Sequence, residues 1–462
     1  MKKFLLYVAI ILLLTTGMAV AADESWLELG GDYQLRYDNL NGTVHDYTEF
    51  MMDTPIPGYK VRNEALFTNR FGLNMKTNPL EDVSFKVRLL AYKIWGNQTN
   101  DAIKGLYMGM PGLESPDFDG AMGHYPGGSE IYVDQAYAGW SNILDLPIWF
   151  SIGRKPSTGG APTNVRQNLE KTGTAGVPGF LIDAAFDGYT LGYAPDIEAL
   201  PGFFVKWCQG KGMDNGYTHA SAIPKDTDFG GLMITYYDSP KLHVESLVME
   251  AWNMMSAPPD GMVVLDHYWP SNAALGNIQW WGLGAMGKVT DNLNLFATVA
   301  QNFFEPSENV RADFGMGMLW QQLYPQVRDR HSGTGIYVGG RYDIESTGTK
   351  IGLEYNHGTK YWMPYGATSN DIWGNKLNTR GSAYEVYLIQ ELDEKPVAKR
   401  GKAFVRIGYQ YYDFEYTGSL NWLEVPVKIE DLTTHDTLGQ GEQWFIPLRR
   451  ATDLYVVFDV LF

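Results

Sequence analysis

The sequence predicts an all-β fold, a transmembrane, antiparallel, up-and-down β-barrel of about 16 strands (range about 14–18), with short periplasmic turns and long outer loops. Three observations carry that expectation. Apolar and polar residues alternate with a period of two in repeated runs of about ten residues. The connections between the runs alternate between long and short. At the carboxyl end, Leu454, Val456, Phe458, Val460 and the terminal Phe462 share one face of an extended strand, the pattern of a closing barrel strand.

At the amino end, Met1, Lys2 and Lys3 precede an apolar run over 4–14 and the small residues Ala19, Ala21 and Ala22, which reads as a cleaved secretory signal over 1–22. Residues 23–462 then read as a single barrel domain in the bacterial outer membrane. Loss of Lys2 and Lys3 takes the basic residues from 36 to 34 against 53 acidic ones, a charge of about −19. Ordinary solubility explains that excess as well as any function does. Cys208 is the single cysteine, so an internal disulfide is excluded, and with it a Cys-x-x-Cys-His haem attachment. No cysteine follows the cleavage region, which argues against a lipid anchor. Beyond the signal no window holds the roughly 18 consecutive apolar residues of a membrane helix. A soluble all-β protein and a membrane barrel remain.

The individual runs favour the barrel. In 27–37, Leu27, Leu29, Tyr33, Leu35 and Tyr37 face one way, and Glu28, Gln34 and Arg36 the other. The second run sets Ala65, Phe67, Phe71, Leu73 and Met75 against Glu64, Thr68, Arg70 and Asn74. The third sets Val83, Phe85, Val87 and Leu89 against Ser84, Lys86 and Arg88. Weaker runs follow at 130–140, 147–155, 180–193, 202–208, 228–238, 241–252, 275–287, 291–302, 334–345, 348–358, 382–392, 402–414 and 450–462. Short connections rich in Asn, Asp, Pro and Gly fall at 77–82, 141–147, 195–202, 238–240, 290–292, 345–348 and 392–401. Long ones fall between them at 39–61, 96–129, 156–179, 209–227, 253–274, 303–333, 359–381 and 415–449. An outer-membrane barrel has this segregation and an even strand number, whereas a soluble sandwich has no reason for it. A barrel of about 16 strands encloses an aqueous channel unless something fills it. The first strand starts a few residues past the cleavage site and leaves no room for an amino-terminal plug, so any obstruction is expected from the loops.

The third long connection is the candidate. Gly153, Gly159, Gly160, Pro156 and Pro162 set a tightly turned path, after which 165–171 reads as a short helix capped by Thr163 or Asn164. Its position and the Gly-Arg exit from the strand resemble the inward-folding third loop of general porins. More closely, the chain resembles an uncharacterised family, a domain of unknown function, of outer-membrane β-barrel porins, and residues 153–168 carry the resemblance best. The resemblance implies a channel architecture and no particular substrate. The alternative is a loop lying over the barrel mouth.

Parity assigns Arg36, Arg70, Lys86, Arg88, Arg341, Lys350 and Arg406 to the lumen, with Glu28, Glu64, Glu245, Asp343, Glu354 and Asp459. Lys155 points inward and Arg154 does not. If the third connection enters the lumen, its Arg166, Glu170 and Lys171 meet Arg70 and Arg88 at the narrowest point. Opposed charges there would filter ions, although mutual pairing that merely solvates the interior explains the same pattern. The outer loops carry Asp46, Glu49, Asp53, Glu114, Asp117, Asp119, Glu424, Glu430, Asp431, Asp436 and Glu442. These carboxylates suit bridging to lipopolysaccharide phosphates by divalent cations, yet no spacing defines a metal site. Trp26, Trp95, Trp140, Trp149, Trp252, Trp280, Trp281, Trp362 and Tyr361 lie near strand ends, as interfacial girdles do.

Enzymatic readings are weak. The eight His residues lie mainly in loops or near strand ends with no nucleophile motif, His243 and Glu245 fit a polar lumen face, and the Gly-rich stretch over 335–340 lacks the context of a phosphate loop. The net charge opposes nucleic-acid binding. The expected function is passive diffusion of small hydrophilic solutes, with no cofactor and no chemical step. The expected partners are outer-membrane lipid and lipopolysaccharide, and the barrel insertion machinery acting on Phe462, Val460 and Phe458. A homo-oligomer is compatible with the chain. The alternative is a sheath around a periplasmic electron-transfer or other partner protein.

Overall fold

The structure, a computed structural model, describes residues 26–49, 54–95, 129–157, 159–171, 178–213, 226–255, 262–264, 267–269, 274–306, 330–366, 371–373, 375–392, 401–419, 426–432, 442–443 and 446–462. The expected signal over 1–22 lies outside them, as do Asp53, Glu114, Asp117, Asp119, Glu424 and Asp436.

Sixteen strands form the wall. The first four are β1 (Glu28–Val44), β2 (Lys60–Leu80), β3 (Val83–Trp95) and β4 (Tyr132–Trp140). They are followed by β5 (Ile148–Ser157), β6 (Ile182–Tyr193), β7 (Phe204–Met213) and β8 (Thr227–Asp238). Next come β9 (Leu242–Met255), β10 (Ala274–Thr290), β11 (Leu293–Pro306) and β12 (His331–Ile344). The wall ends with β13 (Thr349–Gly358), β14 (Gly381–Glu391), β15 (Lys402–Phe414) and β16 (Leu448–Leu461). Each strand pairs antiparallel with its neighbour in sequence, and β16 returns to pair with β1, so Val456 lies between Ile407 and Tyr37. The seam is sealed to the last residue, because Gly31 N donates to the Phe462 carbonyl at 2.7 Å and Phe462 N donates to the Gly31 carbonyl at 3.0 Å. Closure leaves no unpaired edge, which is the condition for a sheet to stand in hydrocarbon.

Alternation along β16 shows how the wall is built. Leu454 and Val456 face out, while Asp453, Tyr455, Val457 and Asp459 are buried in the lumen. The outward positions of other strands, among them Ile152, Leu191, Val248, Leu283, Leu353 and Ile407, continue an exposed apolar band. At the short-turn end, β12 reaches β13 through a 3-10 turn over Glu345–Thr347 and Gly348, whose φ of 63° falls in the left-handed region that glycine enters without a Cβ clash.

Several expectations are corrected. The first long connection is shorter than 39–61, because β1 continues to Val44 and β2 resumes at Lys60. A register shift in the β1–β2 pairing turns the parity there, so Asn63 is buried and Glu64 is exposed instead of lumenal. The helix expected over 165–171 is one turn, α1 (Thr163–Arg166), with no side-chain cap. The Thr163 hydroxyl donates to the Gly160 carbonyl instead, at 2.8 Å, and Asn168 at φ 55° turns the chain away after the helix.

The interior departs furthest from a uniformly polar lumen. Many inward positions on β6–β12, among them Phe186, Phe229, Met249, Ile278, Trp280, Phe296 and Tyr337, are apolar and buried. Side chains from a wall this wide cannot fill the space alone. Phe180 and Leu181 of the third connection, and Trp362, Met363, Tyr365 and Leu377 of the seventh, complete the core. Trp362 stacks on Phe180 at 5.1 Å between ring centroids, and its indole N–H donates to the Leu377 carbonyl at 2.7 Å. Glycines make space for it, since a Cβ at Gly335 or Gly358 would collide with the Trp362 ring. Trp280 and Trp362 therefore leave the girdle, being 1% and 0% exposed, whereas Trp26, Trp95, Trp140 and Trp281 remain on the outer surface.

Adjacent residues test this core. Trp280→Ala should destabilise the barrel by about 3–5 kcal/mol, the usual cost of emptying a packed aromatic site. Trp281→Ala should cost clearly less. Urea unfolding in lipid vesicles measures both, and equal losses would contradict an apolar core inside the lumen.

Candidate functional site in the lumen

The chain between β5 and β6 reaches the opposite wall. On α1, Arg166 Nη1 donates to Asp371 Oδ1 at 2.6 Å and to Glu385 Oε2 at 3.0 Å. The Val165 carbonyl accepts from Arg341 Nη1, and the Arg166 carbonyl from Arg406 Nη1, each at 2.6 Å. Asn168 accepts from Lys350 Nζ at 2.7 Å and donates to Glu391 Oε1 at 3.1 Å, while its carbonyl accepts from Lys402 Nζ at 3.2 Å. Lys171 pairs with Asp238 at the end of β8. The anchoring residues thus come from β8 and from β12 to β15.

The seventh connection meets it there. Lys376 forms ion pairs with Glu354 on β13 and Glu385 on β14, and its backbone N donates to Asp371 Oδ2 at 3.2 Å. Gln410 Nε2 donates to Asp371 Oδ1 at 2.7 Å and to Glu385 Oε2 at 3.1 Å, and the Tyr337 hydroxyl donates to Glu354 Oε2 at 2.6 Å. Arg166 and Lys376 are thereby faced by three carboxylates, with Arg406 bonded alongside. Charges taken out of water are tolerable only when paired in this way. Burial pushes the Asp371 carboxyl up, but Arg166 and Lys376 more than offset it and hold the group below the ordinary carboxylate range.

Two further groupings lie on the β1–β4 side. Arg36 is held between Asp38 at 2.6 Å and Asp453 at 2.9 Å, and lies 4.6 Å from the Tyr455 ring centroid. Arg88 pairs with Asp32 at 2.6 Å and Asp134 at 3.2 Å, and Arg70 lies 3.7 Å from Asp32. These last residues line a cavity of about 600 Å³ with Glu170, Asp183, Arg406 and Asp459. The lumen thus has a packed apolar side and a charged side with open volume.

Of the residues singled out in the sequence, Arg166, Arg341 and Arg406 come together, and Arg70, Arg88 and Glu170 share the cavity. Arg166 meets Asp371 and Glu385 instead of Arg70 and Arg88. Lys86 and Lys155 line a second recess, and Arg154 pairs with Asp187 at 2.6 Å on the outer face, as parity implied. Sequence reasoning missed Asp371, Lys376, Glu385 and Asp453. Inward parity within their strands could have found Glu385 and Asp453, but nothing local marks Asp371 or Lys376, whose positions depend on the fold of a loop. Among the described residues no group of His, Cys, Asp and Glu is arranged to hold a metal ion.

A closed barrel with an apolar band outside and charge within has the architecture of an outer-membrane type of transmembrane β-barrel. Residues 60–462 match the family described as "Protein of unknown function (DUF3373)", and the chain belongs to it. No curated protein matches. Among solved structures, OmpT of Vibrio cholerae is similar at 14% identity and TM-score 0.44, over 96% of this chain and 100% of that one. An anion-selective porin from Comamonas acidovorans is similar at 10% identity and TM-score 0.45, over 95% of this chain and 100% of that one. The outer-membrane channel DcaP of Acinetobacter baumannii is similar at 12% identity and TM-score 0.43, over the same shares.

Glu385 joins both inserted connections to the wall, and its removal should release them. Glu385→Ala should render the Arg166–Lys171 region sensitive to trypsin in folded, vesicle-embedded protein, where the wild type resists. Equal resistance would show that the cluster does not hold the loop.

Proposed function

We propose that the chain is an outer-membrane channel for passive diffusion of small hydrophilic solutes, narrowed by its third long connection. The observation that carries this reading is the cavity of about 600 Å³ beside that connection, lined by Arg70, Arg88, Glu170 and Arg406. Solutes would pass along this charged side, while the apolar side stays packed. Residues 1–22 would be removed on export, 23–462 would form the single barrel, and the long connections would face outward. The reading requires no chemical step and no cofactor. A sheath would need a lumen wide enough for a second folded protein, and the contacts of Arg166 with Glu385 and of Asn168 with Lys350 and Glu391 support the channel reading over it.

Planar-bilayer recording tests the channel. The barrel should conduct, and deletion of residues 159–171 should raise conductance. Arg70→Glu with Arg88→Glu should move the reversal potential toward cations in a salt gradient. A unit charge about 4 Å from the ion path contributes roughly 4 kcal/mol at an effective dielectric near 20 before screening, so a fraction of that suffices for a severalfold change. Silence before and after the deletion would refute an open channel, and unchanged conductance would refute the constriction.

Assembly is tested separately. Phe462, Val460 and Phe458 are proposed as the strand read by the insertion machinery, so deletion of Phe462 should lower the folded, heat-modifiable fraction in membranes. An unchanged fraction would remove that role.

A further inference from the structure

His243, buried near the start of β9, sits between two carboxylates beside the tail of the third connection. Its Nε2 lies 2.9 Å from Glu245 Oε2, and its Nδ1 lies 3.4 Å from Asp238 Oδ1 at the end of β8. Asp238 Oδ1 is also the atom that the Lys171 ammonium holds. Glu245 acts through space on Lys171 as well, and on Lys206 of β7. The imidazole is thus surrounded by Asp238 and Glu245, with Lys171 and Lys206 engaged by those carboxylates, while β10 places the uncharged Met286 opposite it. Just before Lys171 in the chain, Gln167, Leu169 and Glu170 line the cavity of about 600 Å³.

An ionised carboxylate accepts hydrogen bonds and does not donate them, so the contact with Glu245 fixes the proton of a neutral imidazole on Nε2. Nδ1 is then a lone pair, buried without a hydrogen-bond partner among the described residues. A lone pair facing Asp238 is tolerable because the Lys171 ammonium neutralises the same oxygen. A second proton reverses the balance. Nδ1–H becomes a donor to Asp238 Oδ1, and the imidazolium competes with Lys171 for that carboxylate while offsetting the pull of Glu245. Lys171 is the cation that yields, because its side chain is 22% exposed and open to hydration, whereas that of His243 is 6% exposed and needs a partner. We infer that His243 is an acid-operated release for the tail of the third connection: neutral, it leaves Lys171 on Asp238, and protonated, it takes Asp238 and lets Lys171 go. Arg166 and Asn168 hold their own partners in both states, so the movement is confined to the tail beside the cavity. The inference rests on the channel reading, to which it adds a passage whose width depends on pH.

A spin label reads the tail directly. Glu170→Cys, in a Cys208→Ser background that leaves one thiol, would be labelled in the full-length, vesicle-embedded barrel, with heat-modifiable mobility confirming that each variant is folded. The mobile fraction of the label should rise as the pH falls from about 8 to about 5, the window in which histidine gains its second ring proton. His243→Gln keeps a donor for Glu245 and cannot gain a charge, so its label should stay immobile across that range. Lys171→Gln should give a mobile label throughout. Equal mobility at both ends of the range, a response that survives His243→Gln, or an immobile label in Lys171→Gln would overturn the release. Conductance of the unlabelled barrel should rise over the same window and lose that rise in His243→Gln. The two readouts separate the readings. A silent barrel with a pH-responsive label refutes the channel and keeps the release, a conducting barrel with an unresponsive label refutes the release alone, and a responsive label with pH-independent conductance refutes control of the passage by the tail.

Discussion

The arrangement depends on a mismatch between the width of the barrel and the reach of its side chains. Sixteen strands enclose more space than their inward residues can fill. Many inward positions on β6–β12 are nevertheless apolar, and leaving Phe229, Met249 or Phe296 in water would forgo about 1.5–3 kcal/mol for each. The third and seventh connections resolve the mismatch by supplying the inner half of a core. Arg166 and Lys376, placed against Asp371, Glu354 and Glu385, tie the two connections to each other and to the wall.

That solution divides the lumen by chemistry. One side is packed and apolar, and the other keeps open volume lined by charge. The charged side is itself graded. Around Asp32, Asp134 and Asp459, cations and carboxylates alternate and largely neutralise one another at close range. Among the described residues that line the second recess, with Lys86 and Lys155, there is no Asp or Glu. Field lines in a narrow, partly dehydrated lumen are screened less than in bulk water, so under the channel reading such differences would act on an entering solute.

Much of the wall was legible in the sequence, because lipid imposes a period of two and segregated connection lengths. All sixteen runs correspond to strands, and parity located Arg36, Arg88, Arg341, Arg406 and Asp459 on the inner face. Parity failed at Glu64, where a register shift turns the strand over, an event with no local residue signal. Within 228–238 through 291–302 the alternation is blurred because those strands carry apolar residues on both faces where a loop packs inside. Trp280 beside Trp281 shows the limit of an argument from position along the strand, because neighbours at one depth face opposite media. Asp371 and Lys376 were not legible, since a loop residue's partners are set by tertiary packing and not by periodicity.

The central claim is that the third connection is held inside the barrel against β14. A double-mutant cycle on Arg166 and Glu385 tests it most directly, with Arg166→Met, Glu385→Gln and the pair compared by urea unfolding in vesicles. Residues in a shared buried network couple by about 0.5–3 kcal/mol. The account predicts a coupling energy above about 1 kcal/mol, with the double variant more stable than additivity allows. Strictly additive losses would place Arg166 away from Glu385 and contradict it.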